Sequence, residues 1–511
     1  MASLTISNEC FHKLIAERAQ TLLALASHLC RCESTGKVLT RPFLGEFFSQ
    51  SMQIEELLDA YDARNNCQWC VFRSLTATVK LFSDVSYELL HIQHALPAYC
   101  LLPIEHDFIE ATEKTLEFTG KVLATAARQM LAGAEQLKLP CPSQDLRIHA
   151  EQLPPGRLPH DCAARRTETV AETVTLLTTA FLNLAADSKR IRAAGRAKPE
   201  EYAAYLSHSV TEENLRSLEL RFHNLQSLYD TFVSGTEAED LDTDLPVLRG
   251  HVSIVFHLLR LGTGLAHYYE RHVNKQFCDL AAACRPLVET DALLSRLMNY
   301  CIAHIGLYIA CAERLCQNML KRYAEVGEIE VSVPPYRGFH VRPSTLISTL
   351  VLHYGSDVRM EIDKETYNAA SPLDLFRANE KINAAKRRWL AAEIAGLELV
   401  QKSPAKTEID TIVRSIILSL AEKSKVILYE QPLQMPEGLP QEEGTLLQRV
   451  NDKVGQLLAL GKIDINIDLT AKFIGDKRVL ADIKLLAESG YGEDQFGNNS
   501  RLPEELVYLR S

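Results

Sequence analysis

The chain has 511 residues, which at roughly 100–200 residues per domain means two to four domains. Its 46% hydrophobic and 24% charged residues, with scattered Pro and Gly, exclude a low-complexity chain and fit an ordinary globular protein. The net charge of -11 argues against a nucleic-acid binder, which carries a basic surplus.

Met1 to Gln20 is amphipathic and holds Glu9, Glu17 and Arg18, unlike a signal or transit peptide. Helical spacing then runs through most of the first 325 residues. Phe11, Leu14, Ile15, Leu22 and Leu25 mark one apolar stripe. Val170, Val174, Leu177, Phe181 and Leu184 mark another, and Leu215, Leu218, Phe222, Leu225, Tyr229 and Phe232 a third. Such stripes are buried against other helices. Thr211 before Glu212 and Glu213 predicts a helix start, Gly235 its stop, and Pro246 the first turn of the next helix. The Pro-rich stretch from Lys138 to Pro159 reads as a linker. The expected organisation is a helical bundle at 1–137, a linker at 138–159 and a second bundle at 160–326. The best apolar run, Tyr300 to Ala312, is about a dozen residues where a membrane span needs roughly 20. No span and a cytoplasmic location are expected. All 13 Cys lie between Cys10 and Cys316; their odd number fits reduced thiols better than a disulfide framework.

After Gly327 the periodicity changes. Glu328 to Val333 alternates as a strand, Pro343 opens a helix, and Val358 to Ile362 and Glu365 to Ala369 are further strands. Ser371 then caps a long helix from Pro372. The order strand, helix, strand, strand, helix is that of an α+β sandwich. A fourth strand is either Leu397 to Gln401, the preferred reading, or Val426 to Tyr429. Lys462 to Leu469 alternates as another strand, and a polar, Gly-rich tail follows Gly490.

Chemistry concentrates in Gly338-Phe339-His340-Val341-Arg342-Pro343-Ser344. Pro343 suits a first helical turn because its missing N–H needs no partner there. The free amides of that turn make an anion site, and Arg342 adds a forked cationic donor. An imidazole just before the turn is positioned to accept a phosphoryl group and have its charge stabilised.

This segment resembles the HPr family of phosphocarriers: Gly, an apolar residue, His, any residue, Arg, Pro, then a small residue. Tyr367-Asn368-Ala369-Ala370-Ser371 resembles a second family segment at the family's spacing. The resemblance implies phosphorylation of His340 on the ring nitrogen nearer the backbone. It places Arg342 on the phosphoryl group, the Pro343–Ser344–Thr345 turn around it, and Ser371 where many members carry a regulatory serine. Arg337, in place of a small polar residue, and the long helix after Ser371 depart from the family. The expected fold class is multidomain: all-α helical bundles, then an α+β HPr-like open-faced sandwich at 328–424, then a small α/β extension at 425–511. The implied partners are an enzyme I-like phosphodonor and a downstream acceptor or regulated protein, with no nucleic acid, and a homo-oligomer through the bundles as an option. No cofactor is implied. The alternative is an interaction scaffold without phosphoryl transfer; an enzyme site between the bundles is a third reading.

Other groupings read as structural. Cys30, Cys32, Cys67 and Cys70 have no strong zinc spacing. His251, His257, His267, His272 and His304 lack the carboxylate–histidine pairs of di-metal bundles, and the Glu9–His12 and Glu88–His91 spacings arise easily by chance. Asp464, Asn466 and Asp468 lack the Gly and Glu of a calcium loop, and no Walker-type ATP site occurs. No metal is expected.

Overall fold

A computed structural model describes residues 5–31, 38–141, 169–273, 287–397, 408–430, 432–435, 445–494 and 496–510. The chain divides into two compact units, Met1–Cys316 and Gln317–Ser511.

The first unit is helical. Its longer helices are α1 (Asn8–Arg18), α2 (Gln20–Arg31), α3 (Arg41–Ala60), α4 (Cys70–Ala95), α5 (Phe108–Gln136), α6 (Val170–Asp187), α7 (Glu212–Phe232) and α8 (Asp244–Tyr268). Ser7 caps α1, Thr40 caps α3, and Thr211 caps α7 by accepting from the Asn214 amide, as its sequence predicts. The stripe Leu215, Leu218, Phe222, Leu225 and Tyr229 is buried, whereas Phe232 is 59% exposed. Helices from both sides of the Pro-rich stretch belong to this one unit: α4 packs on α3, α5 and α8. Residues 142–168, which include most of the expected linker, lie outside the described residues. One helix, Thr290–Arg322, is long and apolar enough to cross a membrane by length and composition, and 61% of its most apolar window is buried in the structure. Burying such a stripe on neighbouring helices requires that hydropathy in any case. The helix is π-helical over Arg296–Ile302 and regular again in α9 (Ala303–Arg322).

The second unit overturns the expected fold class. The structure as a whole is 71% helical, and its described residues hold six short strands in two small sheets. A sandwich closed within 328–424 and followed by a separate α/β extension is not present. Its elements are β1 (Val326–Ser332), α10 (Val341–Tyr354), β2 (Arg359–Ile362), β3 (Glu365–Asn368), α11 (Pro372–Gly396), α12 (Ile409–Glu422), β4 (Val426–Leu428), α13 (Leu446–Ala459), β5 (Ile463–Ile465), β6 (Thr470–Asp476) and α14 (Lys477–Glu488). The larger sheet has the order β1-β6-β2-β3 and is antiparallel throughout. Its fourth strand is thus β6, which sits between β1 and β2. Of the two segments expected to be that strand, Val426–Leu428 pairs instead with β5 in a two-stranded ribbon, and 398–401 lies outside the described residues. The alternation expected over Lys462 to Leu469 shrinks to Ile463–Ile465.

The physical reason lies in length and burial. β6 buries Ala471 and Phe473 on one face while Lys472 on the other pairs with Glu328 at 2.6 Å. Seven residues of β6 match seven of β1, from Val326↔Asp476 to Ser332↔Thr470. A three-residue strand cannot satisfy that many backbone groups. β2 and β3 turn through Asp363 and Lys364, both at positive φ (52° and 68°), as a tight hairpin requires. The long α11 explains the rest. Its first half buries Leu375, Ala378 and Ile382. Its second half carries Leu390 and Ile394 into a separate core with Ile412, Ile416, Leu420, Val450, Val454, Ile463 and Ile465. From Leu390 to Ile465 the chain between β3 and β6 therefore folds around a core of its own.

Candidate functional site around His340

His340 is the N-cap residue of α10, with φ -74° and ψ -169°, so it stands at the mouth of the helix. Gly338 makes the approach possible. It takes φ +64°, and a Cβ on it would lie 2.1 Å from Asn379 Oδ1. Asn379 on α11 in turn donates from Nδ2 to the Arg337 carbonyl at 2.7 Å. Phe339 is fully buried, with rings of Phe473 and Tyr491 at 6.3 and 6.0 Å, and this anchors the segment from below.

The imidazole meets a carboxylate that sequence reasoning missed. His340 Nε2 lies 2.9 and 3.0 Å from the two oxygens of Glu493. A carboxylate only accepts, so Nε2 carries the proton and donates. Glu493 has 1% of its side chain exposed, His340 20%. Nδ1 has no hydrogen-bond partner among the described residues and makes no cap bond to its own helix. The Tyr336 ring stands edge-on to the imidazole at 5.4 Å.

Arg342 joins the same carboxylate, donating from Nη1 to Glu493 at 3.2 Å and to the Gly497 carbonyl at 3.0 Å. Its side chain is 37% exposed. The hydroxyls of the turn are committed to the backbone: Ser344 donates to the Phe339 carbonyl at 2.8 Å and Thr345 to the Val341 carbonyl at 2.7 Å. The Ser344 amide already donates to the His340 carbonyl. Pro343 has none to offer, so the amides of Val341 and Arg342 are those the first turn leaves over. Ser371 accepts from the Asp374 amide at 3.2 Å as the N-cap of α11.

The Gly-rich tail supplies Glu493. Gly490, Tyr491 and Gly492 all have positive φ (77°, 57°, 73°), which folds the chain back after α14. Tyr491 is buried and donates to the Ser332 carbonyl at 2.7 Å. Glu493 then bridges to Asn499, and Gly497 at φ +81° lies against the Tyr336 ring. Comparison of the chain with protein-family models, with curated proteins and with solved structures gives no match.

Elsewhere the structure places the remaining groups in packing and ion-pair roles. Asp464 Oδ1 pairs with the buried Lys386 at 2.6 Å, and Oδ2 accepts from the Arg337 amide at 3.0 Å. Glu88 is bonded to His257 rather than aligned with His91, and Arg260 reaches the same carboxylate. These partners hold Glu88 below the usual carboxylate range despite its burial. His251 and His304 each bond the carbonyl four residues back through Nδ1, and burial drives both imidazoles toward the neutral form. His267 pairs with Glu212 at 2.9 Å. Among the described residues no group of three or more His, Cys, Asp or Glu side chains is arranged to hold a metal ion. Cys32 lies outside them.

Proposed function

We propose that the chain is a phosphohistidine carrier or regulator, with His340 accepting a phosphoryl group at Nδ1 from an enzyme I-type donor while the helical unit binds a partner. One observation carries the reading: the buried Glu493 carboxylate fixes the Nε2–H tautomer, which leaves the Nδ1 lone pair as the nucleophile. The chemistry is simple to follow. Nδ1 forms a bond to phosphorus as the donor's bond to phosphorus breaks, and the imidazole becomes cationic while Nε2 keeps its proton. Glu493 lies against that developing charge, a role carboxylates take beside histidines in other transfers. The Val341 and Arg342 amides at the start of α10 meet the added negative charge. The sequence resemblance to HPr phosphocarriers around His340 supports the same assignment. Val341 at the start of α10, and Leu373 and Phe376 on the first turns of the adjacent α11, are 71%, 68% and 46% exposed, an apolar surface of the kind a docking donor covers.

The test is incubation with phosphoenolpyruvate and enzyme I, followed by assay for an acid-labile, base-stable phosphate. A labelled wild type and an unlabelled His340→Ala variant are expected. No label on the folded wild-type chain rejects the proposal. A second reading has its own observation. Arg342, Ser344 and Thr345 are all engaged within the chain, so the His340–Glu493–Arg342 group also serves as a clasp fastening the tail to α10, as in a scaffold without transfer chemistry.

A further inference from the structure

The turn Cys67-Gln68-Trp69-Cys70 leads into α4, with Cys70 its first residue. Asn66 organises this turn. Its carbonyl accepts from the Trp69 amide at 3.1 Å and the Cys70 amide at 2.9 Å, and its Oδ1 accepts from the Gln68 amide at 2.9 Å. Residues 67–70 therefore follow a helical turn, which sets Cα atoms three apart at about 5 Å. That is inside the span a disulfide bridges. The side chains agree with the backbone: Cys70 Sγ donates to the Cys67 carbonyl at 3.7 Å, so its sulfur already lies over the residue it would join. Cys67 is exposed and Cys70 partly so; both are free thiols.

The other described cysteines differ. Cys301, Cys311 and Cys316 are buried, Cys10, Cys100 and Cys141 are exposed with no cysteine within three positions, and burial pushes up the thiol of the partly exposed Cys30, whose sequence neighbour Cys32 lies outside the described residues. Trp69, between the two thiols, is 1% exposed and packs edge-on against Phe11 at 4.9 Å. The tryptophan pins the turn, so the backbone geometry that sets the two cysteines within bridging range is held by packing that already exists.

We infer that Cys67 and Cys70 form a dithiol site that exchanges with small-molecule disulfides. The Cys67 thiolate attacks one sulfur of the disulfide, forming a mixed disulfide and releasing one thiol. The Cys70 thiolate then attacks the Cys67 sulfur and releases the second. Two protein thiols and one disulfide thus become one protein disulfide and two small thiols, with the two electrons passing to the small molecule.

The probe is glutathione disulfide on the full chain, with thiols alkylated and the 67–70 peptide read by mass spectrometry. Oxidation is expected to remove both thiols together, leaving the peptide two hydrogens lighter. Trp69 fluorescence, isolated in a Trp389→Phe background, is expected to fall along the same titration. In Cys70→Ser the attack stops halfway, and a glutathione adduct accumulates on Cys67. Cys67→Ser forms no such internal bond. Far-UV circular dichroism verifies that each variant folds. If Cys67 and Cys70 stay fully alkylatable while Cys10 or Cys100 acquires glutathione, the inference is wrong. Equal adducts on Cys67 in wild type and Cys70→Ser, without the lighter peptide, also overturn it.

Discussion

Replacing Glu493 with Gln tests the mechanism at its least exposed point. The carboxylate accepts from His340 and Arg342 while 1% of its side chain is exposed. An amide keeps one acceptor and turns the other oxygen into a donor, which then opposes an N–H. The relief available is a tautomer change: Gln donates to Nε2, and the proton moves to Nδ1. A hydrogen bond to a charged group is worth about 1.5–3 kcal/mol and a neutral one about 0.5–1.5 kcal/mol, so the exchange costs about 1–2 kcal/mol at the histidine. Arg342 is partly solvated and adds little, because water replaces its lost partner. A bias of about 1.4 kcal/mol between tautomers is tenfold, so phosphorylation of His340 is expected to slow by roughly tenfold with a modest loss of stability. Nitrogen-15 shifts of the imidazole report the tautomer directly, and the initial rate of acid-labile label reports the chemistry. An Nε2–H tautomer and an unchanged rate in the variant would refute the role given to Glu493.

Three other perturbations follow. Gly338→Ala forces an L-residue to φ +64° and drives its Cβ onto Asn379 Oδ1; a loss of about 2–4 kcal/mol is expected from backbone strain and the displaced Asn379 bond, read as a lower urea midpoint of the second unit. Lys386→Met strips Asp464 of its buried cation, the two side chains being 5% and 4% exposed; such a break costs about 3–5 kcal/mol, and a loss of stability under about 1 kcal/mol in urea denaturation would contradict the pairing. Burial holds His251 down to about 4, and His304 moves the same way. The unfolded chain takes up the His251 proton near pH 6.5 and the folded one near 4. Stability of the helical unit is therefore full above about pH 6.5 and falls as pH drops toward 4, by up to about 3 kcal/mol from this group. His251→Phe should flatten that acid limb in denaturation series at pH 7 and pH 5, and an identical slope would count against the assignment.

Local signals read well from the sequence. Thr211 starts α7, Ser371 and Pro372 start α11, and the β2–β3 hairpin falls within a residue of its expected limits, because caps and turns act over three or four positions. The motif around His340 is likewise a local arrangement, and its glycine finds a physical reason in positive φ and the closeness of Asn379. What escaped depends on contacts far apart in the chain. β6 does not stand out because Lys462 to Leu469 alternates too, and nothing local says that Phe473, not Ile467, lies opposite Met360. Glu493 is one acid in a polar tail, 153 residues from its histidine. Only the run of left-handed residues at 490–492 hints that the tail turns back, and two of the three are glycines.

The strand order has a consequence for how the second unit comes into being. Of the strands in its larger sheet, β6, which joins β1 to the hairpin, is synthesised last, after the whole of the α11–β5 segment has emerged from the ribosome. Until Thr470–Asp476 arrives, β1 and the β2–β3 hairpin are two loose edges with nothing between them. Such late closure favours slow folding, and it leaves the nascent chain exposing unpaired strands for as long as the intervening core takes to form.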